Sequence, residues 1–185
     1  MSKTNAPPHI LELLATPEPP ELGPGPRSGV LSVDALNQQF DNSPHAMSLS
    51  GNTRELAHAL VLLWHDHLNA AHTIAQSIES ADGSYLHGLM HRREPDYGNA
   101  KYWFHRIGPH PCFAELAAQA ATLLRARNDR VLEAKLIPRG RWDPFAFIDA
   151  CENAAVRPAA DESVQTLRAV QAAEFAILLQ HFCQP

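Results

Sequence analysis

The chain reads as an all-α, single-domain bundle of about six or seven helices with a proline-rich extended N-terminal arm, and three observations predict it. Helix start signals recur: Ser32, Asn52, Asp96, Asp143 and Asp161 each stand before a stretch with helical apolar spacing. No run alternates with period two between hairpin turns, so no strand pair is expected. The length of 185 residues, with 45% hydrophobic and 19% charged content, suits one domain with a full core.

Seven prolines between Pro7 and Pro26 fix the backbone angle and remove donors. Residues 1–30 are therefore an extended arm with one short turn near 10–14, laid on the domain or on a neighbouring subunit. Residues 31–185 form the helical domain. Ser32 caps a short helix to residue 40. Asn52, followed three residues later by Glu55, makes a capping box for a long helix over 52–80, which Ala81, Asp82 and Gly83 end. Further helices are expected over 84–93, 96–107, 111–128 with Pro111 as first residue, 131–136, 143–155 and 161–182.

Composition narrows the function classes. No apolar run reaches the length of a membrane span, and the first residues lack a basic-then-apolar signal, so a cytoplasmic location is expected. Cys112, Cys151 and Cys183 are widely spaced without a CxxC pair and read as buried, reduced thiols. The net charge of −5 argues against a nucleic-acid partner. Only residues 92–141 are positive, with ten basic and five acidic side chains. Such a segment focuses its field on a small anion, a carboxylate or phosphate. Within it, Arg125, Arg127, Arg130, Lys135, Arg139 and Arg141 read as a solvated helix end and loop. Arg92, Arg93, Lys101 and Arg106 carry more weight because they stand among histidines.

Eight of the eleven histidines lie between His58 and His110, where an even spread would place about three. On a continuous 52–80 helix, His67 falls near 340° from Leu60, at about the centre of the apolar face. His65 and His72 form a polar stripe beside Asn69 and Gln76. His87 and His91, four apart, project from one helix face, a spacing that lets two imidazoles share a divalent metal with His67, His72 or Asp66 as third ligand. No HExxH, paired ExxH or CxxC accompanies them, so the cofactor stays open. Without metal, the same imidazoles are proton carriers, with Asp66, Glu94 or Asp96 to orient them. Pro95 turns the chain, Asp96 caps the next helix, and Asn99 and Trp103 share one of its faces.

The combination WHDHLNAAH and then GSYLHGLMHRREPDYGNAKYWFHRIGPHP resembles a little-studied family of small helical proteins with a WHDHxxxAH…HxxxHRREPDYxNAKYWF pattern. That resemblance spans about 50 residues. It implies a helical fold and marks this stretch as the functional centre, with no activity, cofactor or substrate attached. A second, shorter likeness is to HD-type metal phosphohydrolases. It rests on the His65-Asp66 pair, with His45 or His58 as the earlier ligand and Asp96 as the later one.

Three function classes follow. The first is a small-molecule enzyme, a hydrolase or lyase acting on an anionic polar metabolite. His67, His72, His87 and His91 would carry protons or ligate metal, Arg92 or Arg93 with Lys101 would hold the anion, and Gln76 and Asn99 would orient it, with Trp103 as a face for stacking. The second is a non-catalytic module that binds the same metabolite. The third is an interaction protein whose arm assembles homo-oligomers.

Overall fold

The computed structural model describes residues 8–184; residues 1–7, with Pro7 of the expected arm, and Pro185 lie outside the described residues. Among the described residues all regular structure is helical. In chain order these are α1 (Pro8–Leu11), a 3-10 turn (Glu12–Leu14), α2 (Val33–Asn42), α3 (Pro44–Ser48), α4 (Gly51–Trp64) and α5 (Leu68–Ala75). Then come α6 (Ala81–Arg93), α7 (Tyr97–Ile107), α8 (Cys112–Ala126), α9 (Arg130–Leu136), a second 3-10 turn (Pro138–Gly140), α10 (Pro144–Ala154) and α11 (Glu162–Phe182). None is long and apolar enough to cross a membrane.

Local capping chemistry explains most starts. Ser32 Oγ accepts from the Ala35 backbone N–H, and Asp96, Asp129, Asp143 and Asp161 do the same for α7, α9, α10 and α11. Each side chain satisfies donors that a helix leaves without partners. The expected capping box of Asn52 and Glu55 does not form: α4 begins at Gly51 after Ser50, with no side-chain cap.

The long helix expected over 52–80 is two helices. Asp66 has φ of 67° and breaks it. The Asp66 N–H donates to Leu63 O at 3.1 Å and the His67 N–H to Leu62 O at 2.9 Å, the paired bonds of a Schellman ending. That left-handed position usually takes glycine, and a side chain there costs about 1–2 kcal/mol. Two guanidiniums hold it: Asp66 Oδ1 lies 2.5 Å from Arg27 Nη1 and 2.7 Å from Arg93 Nη2. Residues 81–83 also differ from expectation, since they open α6 rather than close its predecessor. Ser80 Oγ accepts from the Gly83 N–H at 2.9 Å, and Asp82 in the first turn suits the positive end of the helix dipole.

Helix α11 runs against α8 and α4, while α6 lies along α7. The α6–α7 approach is close because Gly88 has no side chain: a Cβ there would sit 2.5 Å from the Phe104 ring. Ile10, Leu13, Leu14 and Leu22 of the arm enter the core. The arm is stapled to its own bundle by polar bonds as well. Arg168 and Gln171 of α11 donate to the carbonyls of Pro19, Pro20 and Glu21, and Trp64 Nε1 donates to Thr16 Oγ1.

Candidate functional site

Five of the expected site residues converge. His72 of α5 meets His87 and His91 of α6, with ring centroids 5.5 and 6.2 Å apart. Trp103 of α7 stacks on His87 at 4.3 Å, and Asn99 Nδ2 lies 3.2 Å from His91 Nε2. Glu94 Oε2 is 2.8 Å from His91 Nδ1. The i, i+4 spacing of His87 and His91 aligns the two rings, and the Asp96-capped start of α7 sets Asn99 and Trp103 against them. His87 Nδ1 donates to Gly83 O at 2.9 Å, which leaves Nε2 as the basic nitrogen. Burial lowers the pKa of His87; the Gly83 carbonyl opposes this, and His72 and His91 add to the lowering. It is therefore a neutral proton acceptor at pH 7.

The other expected residues do other work. His67 is not on a buried apolar face. It stands in the α4–α5 break, with Nε2 2.7 Å from Leu31 O. Gln76 is exposed and donates to Thr73 O in its own turn. Lys101 pairs with Asp149 at 2.6 Å. Arg92 and Arg93 both enter the core. Arg92 meets Glu174 at 2.5 Å and lies over Phe147, and Tyr85 donates to the same carboxylate. Arg93 binds Asp66, Leu63 O and Gly23 O. Neither guanidinium is free to hold an anion, because its counter-charge is built in. The His65-Asp66 pair is likewise committed: His65 Nε2 reaches Leu13 O at 3.0 Å, and Asp66 is held by Arg27 and Arg93. Both residues are absorbed in structure rather than presented as metal ligands.

A cavity of about 820 Å³ opens between the start of α8 and the segment 138–145. Its walls include Phe113, Pro144 and Phe145, with Arg139, Arg141 and Trp142 supplying polarity. Among the described residues Arg139 and Arg141 make no ion pair, and both are exposed. The Trp142 indole N–H is buried and has no acceptor, a state that costs about 1–3 kcal/mol. Asp143 is occupied in capping α10. Arg139 has φ of 55°, a left-handed position that a non-glycine residue holds only when its surroundings impose it.

Sequence reasoning missed this wall, having read Arg139 and Arg141 as a solvated loop. The signal was the run Pro138-Arg139-Gly140-Arg141-Trp142-Asp143-Pro144, an indole between two arginines in a proline-bounded turn.

Beneath the cavity, His110 Nε2 and His181 Nε2 lie 2.9 and 3.0 Å from the same oxygen, Asp82 Oδ1. Burial opposes ionisation of Asp82, but the two imidazole donors outweigh it and hold its pKa well below the usual carboxylate range. Cys112 sits beside them. One ring nitrogen from each histidine and the Cys112 sulfur lie mutually within 4.8 Å, the metal-ligand spacing that the histidines of α5 and α6 were expected to supply. The Cys112 thiol is pushed up to about 12 by burial, then by Asp82, Glu115 and Glu174, so it is not a nucleophile on its own. Cys151 is raised to about 12 and Cys183 to about 11 by burial. No family model, curated protein or solved structure matches this chain.

Proposed function

We propose that the protein binds a small anionic molecule with an apolar portion in the cavity bordered by Arg139, Arg141 and Trp142. One observation carries this reading: two guanidiniums without ion-pair partners border one 820 Å³ space, which the apolar rings of Phe113 and Phe145 and the residue Trp142 also line. Among the described residues most other buried polar side-chain atoms are paired, as their desolvation requires, with Arg92 Nε and Arg93 Nε as exceptions. An anionic group would satisfy the guanidiniums. The apolar body would rest on Phe113 and Phe145. Among the described residues the His72 ring makes no hydrogen bond and His87 keeps a bare Nε2, but neither borders this cavity. That favours retention of a metabolite over its conversion.

Binding of inorganic phosphate, citrate and phenyl phosphate, followed by calorimetry and thermal stability, tests the reading. Phenyl phosphate should bind more tightly than phosphate, and saturation at 100 times Kd should stabilise the fold by about 2.7 kcal/mol. Arg139→Ala combined with Arg141→Ala should remove that response. Equal binding by wild type and the double variant would refute it.

A second reading is an enzyme that moves protons with the α5–α6 imidazoles. His87 favours it, since its Gly83 bond fixes the tautomer and leaves Nε2 as a neutral base beside His72 and Trp103. Turnover of a small anionic substrate, abolished by His87→Gln while phenyl phosphate binding at the Arg139–Arg141 cavity is unchanged, would establish this reading over the first.

A further inference from the structure

We propose that His110, Cys112 and His181 bind one zinc-type dication, with Asp82 as the outer carboxylate that orients both imidazoles. The donor set is borderline to soft: two imidazoles and a thiol with ligand atoms mutually within 4.8 Å. Such a set suits zinc and its close analogues over magnesium or calcium, which select oxygen. Two distant parts of the chain supply the donors: His110 and Cys112 flank Pro111 at the start of α8, and His181 lies in the last turn of α11, which runs alongside.

Asp82 supplies the feature that distinguishes this group from a chance cluster. One of its oxygens faces Nε2 of both histidines, at 2.9 and 3.0 Å. A carboxylate that accepts Nε2–H from an imidazole leaves Nδ1 bare, and this outer-partner arrangement is the one that orients histidine ligands in zinc sites. Here one carboxylate does so for two rings. His110 Nδ1 now receives only a long contact, 3.3 Å, from the Cys112 backbone N–H, which metal binding would displace. The Cys112 and His110 side chains are nearly enclosed, while His181 is partly open. Enclosure on two sides with one open side is suited to capture of an ion from solvent.

Three protein donors leave a fourth position for water or an anion, the pattern of reactive rather than purely structural zinc centres. His110 also borders the cavity of the proposed anion site. The metal site nevertheless stands without that reading, because it is tested by metal alone.

The experiment is titration of chelator-treated, tag-free protein with Co(II) in buffer without added oxyanion. The expected result is one cobalt per chain, with the intense visible bands of a tetrahedral ion and a near-ultraviolet thiolate-to-cobalt band, both erased by equimolar Zn(II). His181→Ala, a change at a partly exposed position, should remove the tetrahedral spectrum, and Cys112→Ser should remove the thiolate band. Asp82→Asn keeps the shape but not the charge and should weaken cobalt binding by about 10–100-fold. Wild-type cobalt binding without a thiolate band would overturn the proposal, whatever the variants do. Binding that His181→Ala leaves unchanged would overturn it as well.

Discussion

Two pairs of arginines in this chain have opposite fates. Arg92 and Arg93 are buried, and each has its carboxylate, Glu174 and Asp66. Arg139 and Arg141 are exposed at the rim of a cavity and have none among the described residues. The first pair lies within the dense histidine segment and looks functional in one dimension; the second lies in a turn and looks merely solvated. In three dimensions the first pair is neutralised inside the fold and the second is left unpaired at the surface. A guanidinium already neutralised inside the fold has nothing left to offer a ligand, whereas an unneutralised one at a concave surface does. Crowding along the sequence therefore does not say which charges the fold leaves without a partner.

The largest effect expected from this contrast is on stability. Glu174→Ala should cost about 3–5 kcal/mol in chemical denaturation, because it strands the Arg92 charge in the core. Replacing both partners, Arg92→Met with Glu174→Leu, should cost far less. Equal losses for the single and double variants would mean that the pair itself, rather than the stranded charge, supplies the stability. Gly88→Ala should follow at about 1–3 kcal/mol through its clash with Phe104.

A smaller effect is expected from pH. Burial lowers the pKa values of His58, His65 and His87 below the ordinary histidine value of 6.5. The unfolded chain therefore binds protons on these rings before the folded chain does. Their contribution to stability is fully present above about pH 6.5 and is lost as pH falls from there through the folded values. Denaturation midpoints at pH 7.5 and 5.5 should show the decline, and His87→Gln should reduce it. A midpoint that rises on acidification would contradict the assignment.

The smallest effect belongs to the rim. Arg139→Ala and Arg141→Ala should each change the stability of the unliganded protein by no more than about 0.5 kcal/mol, as befits unpaired surface charges. A loss of several kcal/mol from either would reveal an internal partner and remove the contrast.

What was legible in the sequence was what depends on near neighbours. Ser32, Asp96, Asp143 and Asp161 announce helix starts because a cap acts within three residues. The meeting of His72, His87, His91, Asn99 and Trp103 follows from i, i+4 spacing on consecutive helices. The break at Asp66 was hidden because apolar residues continue on both sides. The groups that stabilise it, Arg27 and Arg93, lie 39 and 27 residues away. Glu174 is 82 residues from Arg92, and His181 is 99 from Asp82. No local pattern encodes such pairings, so neither the fate of Arg92 nor the shared carboxylate beneath the cavity could be read in advance.

The most direct measurement is nitrogen–proton correlation NMR of the three tryptophan indoles during titration with phenyl phosphate. Trp64 donates to Thr16, and Trp103 packs on His87 away from the cavity. Trp142 alone of the three borders the cavity with an unused donor. Its indole resonance should move and saturate while those of Trp64 and Trp103 stay in place. Three indoles that remain unmoved at saturating ligand, or a shift confined to Trp103, would contradict the account.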